Sequence, residues 1–111
     1  MANKKPIPYL GIDGITVNDE MNRQYGMPDG IYVNQTVADS PAMQGNIQAG
    51  DVIVAVDGVA VTSMRDLQQM LHVKEPGSGI EVKVYRLMNG LYTELTLQVT
   101  VGTSKIESRI M

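Results

Sequence analysis

The segment IQAGDVIVAVDGVAV, residues 47–61, decides the fold. Its apolar run, VIVAV, lies between the turn-forming pairs Gly50-Asp51 and Asp57-Gly58. A continuous apolar run of this length between turn residues is typical of a strand buried on both faces. The VAVT that follows predicts a brief second strand after the turn.

Two further strands are predicted upstream. GIYVNQTV, residues 30–37, is rich in β-branched and aromatic residues, which favour strands. YLGIDGITV, residues 9–17, is also strand-like, but it contains Gly11 and Gly14. Glycine inside a strand marks either a bend or bulge, or a close approach by another backbone. From the local pattern alone, both interpretations of this glycine pair stay open.

A short helix is predicted between these strands. The segment NDEMNRQYGMPDG begins with Asn18, a good N-cap, and Gly26 and Pro28 end it. A shorter helical turn is predicted near Pro41 to Gln44.

The clearest helix is SMRDLQQMLHVKEPG. Ser63 and Asp66 have the spacing of a capping box, and Pro76-Gly77 is expected to stop the helix. One apolar stripe follows the helical period and consists of Met64, Leu67, Met70 and Leu71. Such a stripe is usually plain core, although methionine is also the adaptable residue of promiscuous binding surfaces.

Two alternating strands complete the pattern. IEVKVYR directs Ile80, Val82 and Val84 to one face, and ELTLQVTV directs alternate apolar residues inward. Asn89-Gly90 between them predicts a tight hairpin. The sum is an α+β domain with a small bent antiparallel sheet or partly open barrel of five to six strands, capped by two helices. Its expected boundaries are 9–102, with residues 1–8 as a linker and 103–111 as a flexible C-terminal tail.

The composition excludes several classes of protein. The 111 residues carry a formal net charge of −3, and the scattered lysines and arginines form no basic face of the kind that nucleic-acid binders show. The apolar runs are far shorter than the roughly 20 residues of a membrane helix, and no apolar stretch of the signal-peptide type follows Met1. Cysteine is absent, so disulfide and thiolate chemistry are excluded. Without Trp or Phe, the core must be aliphatic.

The chain resembles a PDZ domain over roughly residues 9–102, and more narrowly the PDZ domains of bacterial HtrA-type serine proteases. AGDVI followed by VDG is the most specific signature, and YLGI followed at once by a strand points to the HtrA group. Further matching segments are GIYVNQTVADSPA and MRDLQQMLHVKEPGSGIEVKVYR.

The resemblance implies a peptide-binding site. A partner's free C-terminal carboxylate is expected over the loop Tyr9, Leu10, Gly11 and Ile12, whose backbone N–H groups form an anion nest. Glycine at position 11 lets the oxygens come close. The partner then adds an antiparallel strand, a mode called β-augmentation, beside Ile12, Asp13 and Gly14.

The second wall of the implied groove is the helix from Ser63 to Val73. A hydrophobic pocket for the partner's last side chain is expected between Leu10, Ile12, Leu67, Met70 and Leu71. Which of the helix residues face the groove and which face the core stays open, because an amphipathic stripe does not separate them.

No catalytic residues, metal site or cofactor are predicted. A serine triad needs a histidine base, and His72 is the only histidine. It lies far from the start of the helix, where some PDZ domains use a histidine to select ligands, so a solvated surface role is expected. GSGIEV lacks the third glycine and the following helix of a dinucleotide-binding fingerprint.

Two functions are therefore weighed, with a self-contained enzyme disfavoured. The first is a module that binds C-terminal peptides or unfolded segments with an apolar last residue and serves an attached HtrA-type protease. The second is a structural interaction domain whose groove is filled by a neighbouring segment. The family implies an extracytoplasmic location, at the cell surface or in a periplasm, and a membrane-tethered parent. The chain's own end, Ile110-Met111, is a further candidate occupant of a neighbouring copy's groove.

Overall fold

The computed structural model describes residues 7–104, which contain eight strands and three helices. The strands are β1 Ile7–Tyr9, β2 Ile12–Thr16, β3 Ile31–Thr36, β4 Val52–Val56, β5 Val59–Ala60, β6 Gly79–Met88, β7 Leu91–Thr100 and β8 Gly102–Ser104. The helices are α1 Asp19–Tyr25, α2 Pro41–Gln44 and α3 Met64–His72. Among these helices, none has the length and apolar character needed to cross a membrane.

The main sheet is antiparallel and has the order β2-β3-β4-β6-β7. The short strand β5 lies outside this order and pairs with the last residues of β4. It is not closed, so β2 and β7 are edge strands. The predicted α+β fold with a small open antiparallel sheet is confirmed. The two predicted helices are α1 and α3, and the predicted helical turn is α2.

A second, two-stranded sheet pairs β1 with β8. Its register joins Ile7 to Ser104 and Tyr9 to Gly102. The sequence patterns did not predict this pair, because each strand has three residues and its partner lies at the other end of the chain. The predicted linker and tail otherwise fall on residues 1–6 and 105–111, outside the described residues, and so do Ile110 and Met111.

Local signals explain the ends of α1. The Asn18 side chain accepts a hydrogen bond from the Met21 N–H at 2.9 Å, as expected of an N-cap. Gly26 closes the helix with a φ of 69°, and its N–H donates to the Asn22 carbonyl. The predicted helix start and stop are confirmed.

The start of α3 differs in detail from a capping box. Ser63 Oγ accepts from the Asp66 N–H at 3.1 Å, as predicted. The Asp66 carboxylate, however, accepts from the N–H and hydroxyl of Thr62, both at 3.0 Å. The helix ends at His72, four residues before Pro76, because Val73 turns its N–H back to the Leu71 carbonyl.

The core is aliphatic, as the composition requires. The buried faces of β6 and α3 meet in it, and Ile80, Val82 and Val84 are at most 1% exposed. The predicted alternation is also confirmed near the end of β7, where Val99 is buried, and at Val101 directly after it. Leu95 and Leu97, the earlier members of that stripe, pack against the edge of the core and are partly exposed.

Candidate functional site

The loop between β1 and β2 contains Leu10 and Gly11, and the fold itself requires the glycine. Gly11 has a φ of +87°, in the left-handed region. A Cβ at Gly11 would lie 2.3 Å from the Cβ of Ser40 and 2.7 Å from its Oγ. The group that approaches this side of Gly11 is therefore the side chain of Ser40, which also caps α2 by accepting from the Met43 N–H.

The carbonyl groups of the loop are held by the protein's own backbone. The Ala42 N–H donates to the Leu10 carbonyl, and the Val37 N–H donates to the Gly11 carbonyl, each at 2.8 Å. The carbonyl and the following N–H of a trans peptide point in opposite directions, and the described residues contain no cis peptide. The N–H groups of Gly11 and Ile12 therefore point away from these internal partners.

The loop also contains backbone donors that no group of the described domain uses. Within residues 7–104, no hydrogen bond uses the N–H of Leu10 or that of Gly11. Both residues are buried, and buried backbone donors nearly always have a partner. Successive free N–H groups of this kind form an anion-binding concavity. The loop thus offers backbone donors that can bind an anion.

The register of β2 shows which main-chain groups face its free edge. Ile12 lies opposite Thr36, and the flanking bond runs from the Val37 N–H to the Gly11 carbonyl. In an antiparallel ladder this flanking bond makes Ile12 and Thr36 a non-hydrogen-bonded pair. The N–H and carbonyl of Ile12 are therefore directed outward, away from β3.

The same holds at the other end of β2. Thr16 lies opposite Ile31, and the flanking bond runs from the Val17 N–H to the Gly30 carbonyl at 2.9 Å. Because hydrogen-bonded and non-hydrogen-bonded pairs alternate, Gly14 also directs its main-chain groups outward. Residues 12, 14 and 16 all direct their main-chain groups outward, because the extra residue of the β-bulge lies in β3, opposite Asp13 and Gly14.

Main-chain groups of Ile12, Gly14 and Thr16 thus line the edge of β2. Asp13 lies between the first two, and its pairing with Gln35 directs its main-chain groups toward β3. The Asp13 side chain is half-exposed and makes no ion pair among the described residues.

Helix α3 packs beside this edge and beside β1. Of the five residues predicted to line a hydrophobic pocket, four belong to the main core: Leu10, Ile12 and Leu67 are 0% exposed and Leu71 is 3% exposed. Met70 is the fifth, and it packs on the core with part of its side chain exposed. Met70 is therefore the predicted pocket residue with surface that a ligand reaches without rearrangement.

The first turn of α3 is joined directly to the end of β2. The Met64 N–H donates to Thr16 Oγ1 at 3.1 Å. At the same end, hydrogen bonds from the N–H and hydroxyl of Thr62 lower the pKa of Asp66. His72 is exposed at the opposite end of the helix, as expected. Within residues 7–104, no group of three His, Cys, Asp or Glu side chains is placed to hold a metal ion.

Comparison with known proteins agrees with this geometry. Residues 8–101 match the family profile described as PDZ domain. The chain belongs to the PDZ domain family. The predicted resemblance is thereby confirmed over most of the chain's length.

Curated relatives of this PDZ domain include serine proteases of the HtrA type, which it matches over part of their length. "Probable periplasmic serine endoprotease DegP-like" of Pseudomonas fulva (strain 12-X) is 33% identical over 97 residues, which are 86% of this chain and 19% of the relative. "Serine endoprotease DegS" of Escherichia coli (strain K12) is 36% identical over 97 residues, 84% of this chain and 26% of the relative. The chain thus spans about a fifth to a quarter of the length of these relatives.

Solved structures give the same grouping. The HtrA-type protease AlgW with decapeptide has a TM-score of 0.76 and 26% identity, and the match covers 92% of this chain and 31% of AlgW. The HtrA3 PDZ domain bound to a phage-derived ligand, FGRWV, has a TM-score of 0.72 and 26% identity, with 87% and 86% of the two chains covered. Both of these neighbours were solved with a peptide ligand.

Three residues that shape the site had no predicted role. Ser40 fills the space next to Gly11, Val37 holds the Gly11 carbonyl, and Thr16 joins β2 to α3. A helical turn near Pro41 to Gln44 was predicted, but the contact of Ser40 with Gly11 was not. Thr16 carries no local signal, since its partner is 48 residues away.

Proposed function

We propose that this PDZ domain binds the free C-terminal carboxylate of a partner peptide. The observation that carries the proposal is the pair of outward-pointing N–H groups at Gly11 and Ile12, whose peptide carbonyls are fixed by Ala42 and Val37. A carboxylate accepts strong hydrogen bonds from such donors. The partner strand then lies along β2 and bonds to the main chain at Ile12 and Gly14, while Asp13 faces its flanking side chains.

The pocket for the partner's last side chain lies between Leu10, Ile12, Leu67, Leu71 and Met70. An apolar last residue fits this lining, since its aliphatic atoms lose water without leaving a polar group unpaired. Hydrogen bonds to a charged group contribute about 1.5–3 kcal/mol each. Ordering a short peptide opposes binding, so we expect a dissociation constant in the micromolar range, about −8 kcal/mol.

The biological role that we propose is to deliver substrate to, or to regulate, an HtrA-type serine protease domain in the same parent chain. Matches to DegP-like and DegS proteases over the PDZ region support it. C-termini of unfolded or misassembled proteins are the proposed ligands. The periplasmic names of several relatives support an extracytoplasmic location, with membrane tethering of the parent as the finer expectation.

A scaffold function is the second candidate, and the burial of the predicted pocket residues favours it. Four of these five residues are at most 3% exposed, so the helix already packs on the strand that a peptide would join. In this alternative, the domain holds protease subunits together and its groove accepts a segment of a neighbour instead of exchanging free peptides.

The test is calorimetric titration with two peptides of one sequence that ends in Val. One peptide has a free carboxylate, and the other has a C-terminal amide, which removes the charge. We expect micromolar binding of the acid and at least tenfold weaker binding of the amide. Equal binding of the two would contradict carboxylate recognition. Binding of neither would favour the scaffold function.

A further inference from the structure

Strand β7 is the edge of the main sheet that lies opposite to β2, and alternate residues direct their main-chain groups away from β6. The Val101 N–H, directly after β7, donates to the Ser78 carbonyl at 2.9 Å. The β6–β7 register then runs without a shift from Gly79–Thr100 to Met88–Leu91. Because the direction of the main-chain groups alternates along an antiparallel strand, the outward N–H and carbonyl groups belong to Tyr92, Glu94, Thr96, Gln98 and Thr100.

This edge is uncovered over most of its length. Among the described strands, β7 pairs with β6 alone. Helix α2 packs on β7 near its end, where a Cβ at Gly45 would lie 3.2 Å from the Gln98 carbonyl oxygen. The open segment of the edge is therefore 91–97, in which the Glu94 and Thr96 side chains are exposed.

The open segment lacks the features by which edge strands avoid pairing with other chains. Such features include lysine, proline, a β-bulge or a covering element. Strand β7 contains no lysine, proline or glycine, its pairing with β6 has no bulge, and Glu94 is its single charged residue. It also exposes apolar surface, since Leu91 is 72% exposed and Leu95 is partly exposed. The edge thus has the donors, acceptors and apolar side chains that a further strand needs.

We propose that β7 pairs antiparallel with β7 of a second copy of this chain, so that the two main sheets join across a two-fold axis. A two-fold interface must be self-complementary, because the same surface of both copies meets in it. The main-chain groups of a strand edge satisfy this condition, and the side chains decide where the axis lies. Strand β2 takes no part in this pairing, so the inference stands apart from the proposed peptide binding.

The side chains exclude two positions of the axis. An axis at Glu94 sets the two carboxylates opposite each other, and like charges in that arrangement are destabilising. An axis at Thr96 sets Glu94 opposite Gln98, whose carbonyl α2 covers. An axis at Thr93 or at Leu95 avoids both conflicts and still brings outward main-chain groups together.

Both remaining registers bury Leu95. With the axis at Thr93, Leu95 lies opposite Leu91 of the second copy, and Glu94 lies opposite Tyr92. With the axis at Leu95, that residue lies opposite itself, and Glu94 lies opposite Thr96. Residues directly opposite each other project to the same face and their side chains interact, so in each case Leu95 exchanges water for an apolar partner. Each register also exchanges about four main-chain hydrogen bonds between the copies.

The first measurement is sedimentation equilibrium of the full chain at concentrations up to about 1 mM. It is made with the chain alone and with an excess of a Val-terminated peptide. We expect a monomer–dimer equilibrium whose dissociation constant the peptide changes by less than twofold. A chain that stays monomeric overturns the proposal. A dimer that the peptide dissociates also overturns it, because self-association then uses the groove beside β2.

Proline at position 94 tests the main-chain pairing. Glu94→Pro removes an outward N–H that both registers use, and proline is tolerated at edge positions whose N–H faces solvent. Glu94→Gln is one control, since it removes the charge and keeps the N–H. Thr100→Pro is the other, since it puts proline in the same phase beyond Gln98.

We expect Glu94→Pro to weaken dimerisation at least tenfold and the two controls to change it by less than twofold. Circular dichroism confirms that each variant is folded. Dimerisation of Glu94→Pro as strong as that of the wild type overturns the proposal, and so does equal weakening by Thr100→Pro.

Cysteine cross-linking gives a second readout that does not depend on the proline variant. The chain contains no cysteine, and a disulfide needs Cα atoms about 4.4–6.8 Å apart. A residue on the axis meets its own copy at about 4.5 Å in a non-hydrogen-bonded pair. We expect Thr93→Cys or Leu95→Cys, treated with the oxidant diamide, to form linked dimers at least tenfold faster than Asn34→Cys, which is exposed on β3. Equal rates for all three variants overturn the proposal.

Discussion

Both carboxylate oxygens of Asp51 are bound by the guanidinium group of Arg86, with Nε–Oδ1 and Nη2–Oδ2 distances of 2.8 Å each. The carboxylate also accepts from the Gln48 N–H at 2.9 Å, and Arg86 Nη2 reaches the Asn46 carbonyl at 2.8 Å. The pair thereby ties the turn before β4 to strand β6. The bond to Asp51 raises the pKa of Arg86 further above its usual range.

Replacing Arg86 is expected to be costly, because it leaves the Asp51 carboxylate buried without its counter-ion. The side chains of Asp51 and Arg86 are 1% and 20% exposed. We expect Arg86→Met to reduce the free energy of unfolding by about 3 kcal/mol, measured by urea denaturation followed by circular dichroism. Lys83→Met is the control, since its pair with Glu94 spans 3.9 Å between side chains that are 38% and 49% exposed. Its expected loss is at most about 1 kcal/mol. Equal losses for the two variants would contradict the structural role of Asp51.

Alanine at Gly11 tests the contact with Ser40. Gly11→Ala adds a Cβ at 2.3 Å from the Ser40 Cβ, whereas Gly58 has a similar φ of +79° and open space around it. Gly58→Ala should cost about 1 kcal/mol of unfolding free energy for the left-handed backbone alone. Gly11→Ala should cost about 1–3 kcal/mol more, because of the overlap with Ser40.

Ser40→Gly supplies the second half of this test. Glycine is nearly as good an N-cap as serine, so α2 should persist. We expect the double variant Gly11→Ala, Ser40→Gly to recover most of the additional loss. If the double variant is as unstable as Gly11→Ala alone, the contact with Ser40 does not explain the glycine.

Met70 is the predicted pocket residue that a ligand reaches most directly. We expect Met70→Ala to weaken the binding of a Val-terminated peptide about fivefold, which corresponds to about 1 kcal/mol. Met43 is 44% exposed on α2 and serves as the control, for which no change in affinity is expected. Titration calorimetry measures both. An unchanged affinity for Met70→Ala would remove this residue from the proposed pocket.

The stability at low pH should depend on Asp57. A bond from the Glu81 N–H and another from Lys74 hold the pKa of Asp57 below its usual value of 3.8. A lowered folded-state pKa means that the carboxylate stabilises the fold above pH 3.8 and that this contribution is lost as the pH falls through the folded-state pKa. We expect Asp57→Asn to be less stable than the wild type at pH 6, and the difference to shrink below pH 3.8.

Asparagine is suited to this test because Asp57 has a φ of 50°, which asparagine tolerates. Thermal melts across the pH range measure the effect. Asp29→Asn is the control, since the exposed Asp29 side chain makes no hydrogen bond within residues 7–104. A constant difference between the wild type and Asp57→Asn at all pH values would contradict the assignment.

The chain's own end gives a further prediction. If Ile110-Met111 occupies the groove of a neighbouring copy, deletion of the last five residues should raise the affinity for an added peptide. The same deletion should reduce self-association, measured by analytical ultracentrifugation. No change in either quantity would exclude the tail as an occupant.

Elements with a complete local signal were predictable from the sequence. Asn18 and Gly26 bound α1, and Asn89-Gly90 forms the hairpin turn with φ values of 52° and 81°. Each of these signals depends on neighbours within a few residues. The strands of the main sheet followed from their apolar runs. The proposed carboxylate loop, which lies between β1 and β2, was predicted from the family resemblance and not from a local pattern.

The missing parts depend on contacts between distant residues. The β1–β8 pair joins Tyr9 to Gly102, and neither three-residue strand has a period of its own. The stripe of α3 did not show that Leu67 is fully buried while Met70 is partly exposed, because the helical period does not separate residues of one face by their depth.

The β1–β8 pair has a mechanical consequence. Its register sets Ile7 beside Ser104, so residues entering and leaving the domain do so side by side at one end of the ladder. Tension applied through these two positions acts on one residue pair of the ladder at a time. The pairs therefore separate in order: Ile7–Ser104, Pro8–Thr103 and Tyr9–Gly102. The last pair adjoins Leu10 and Gly11. A pull on the domain therefore reaches the loop that we propose as the carboxylate site before it reaches the main sheet.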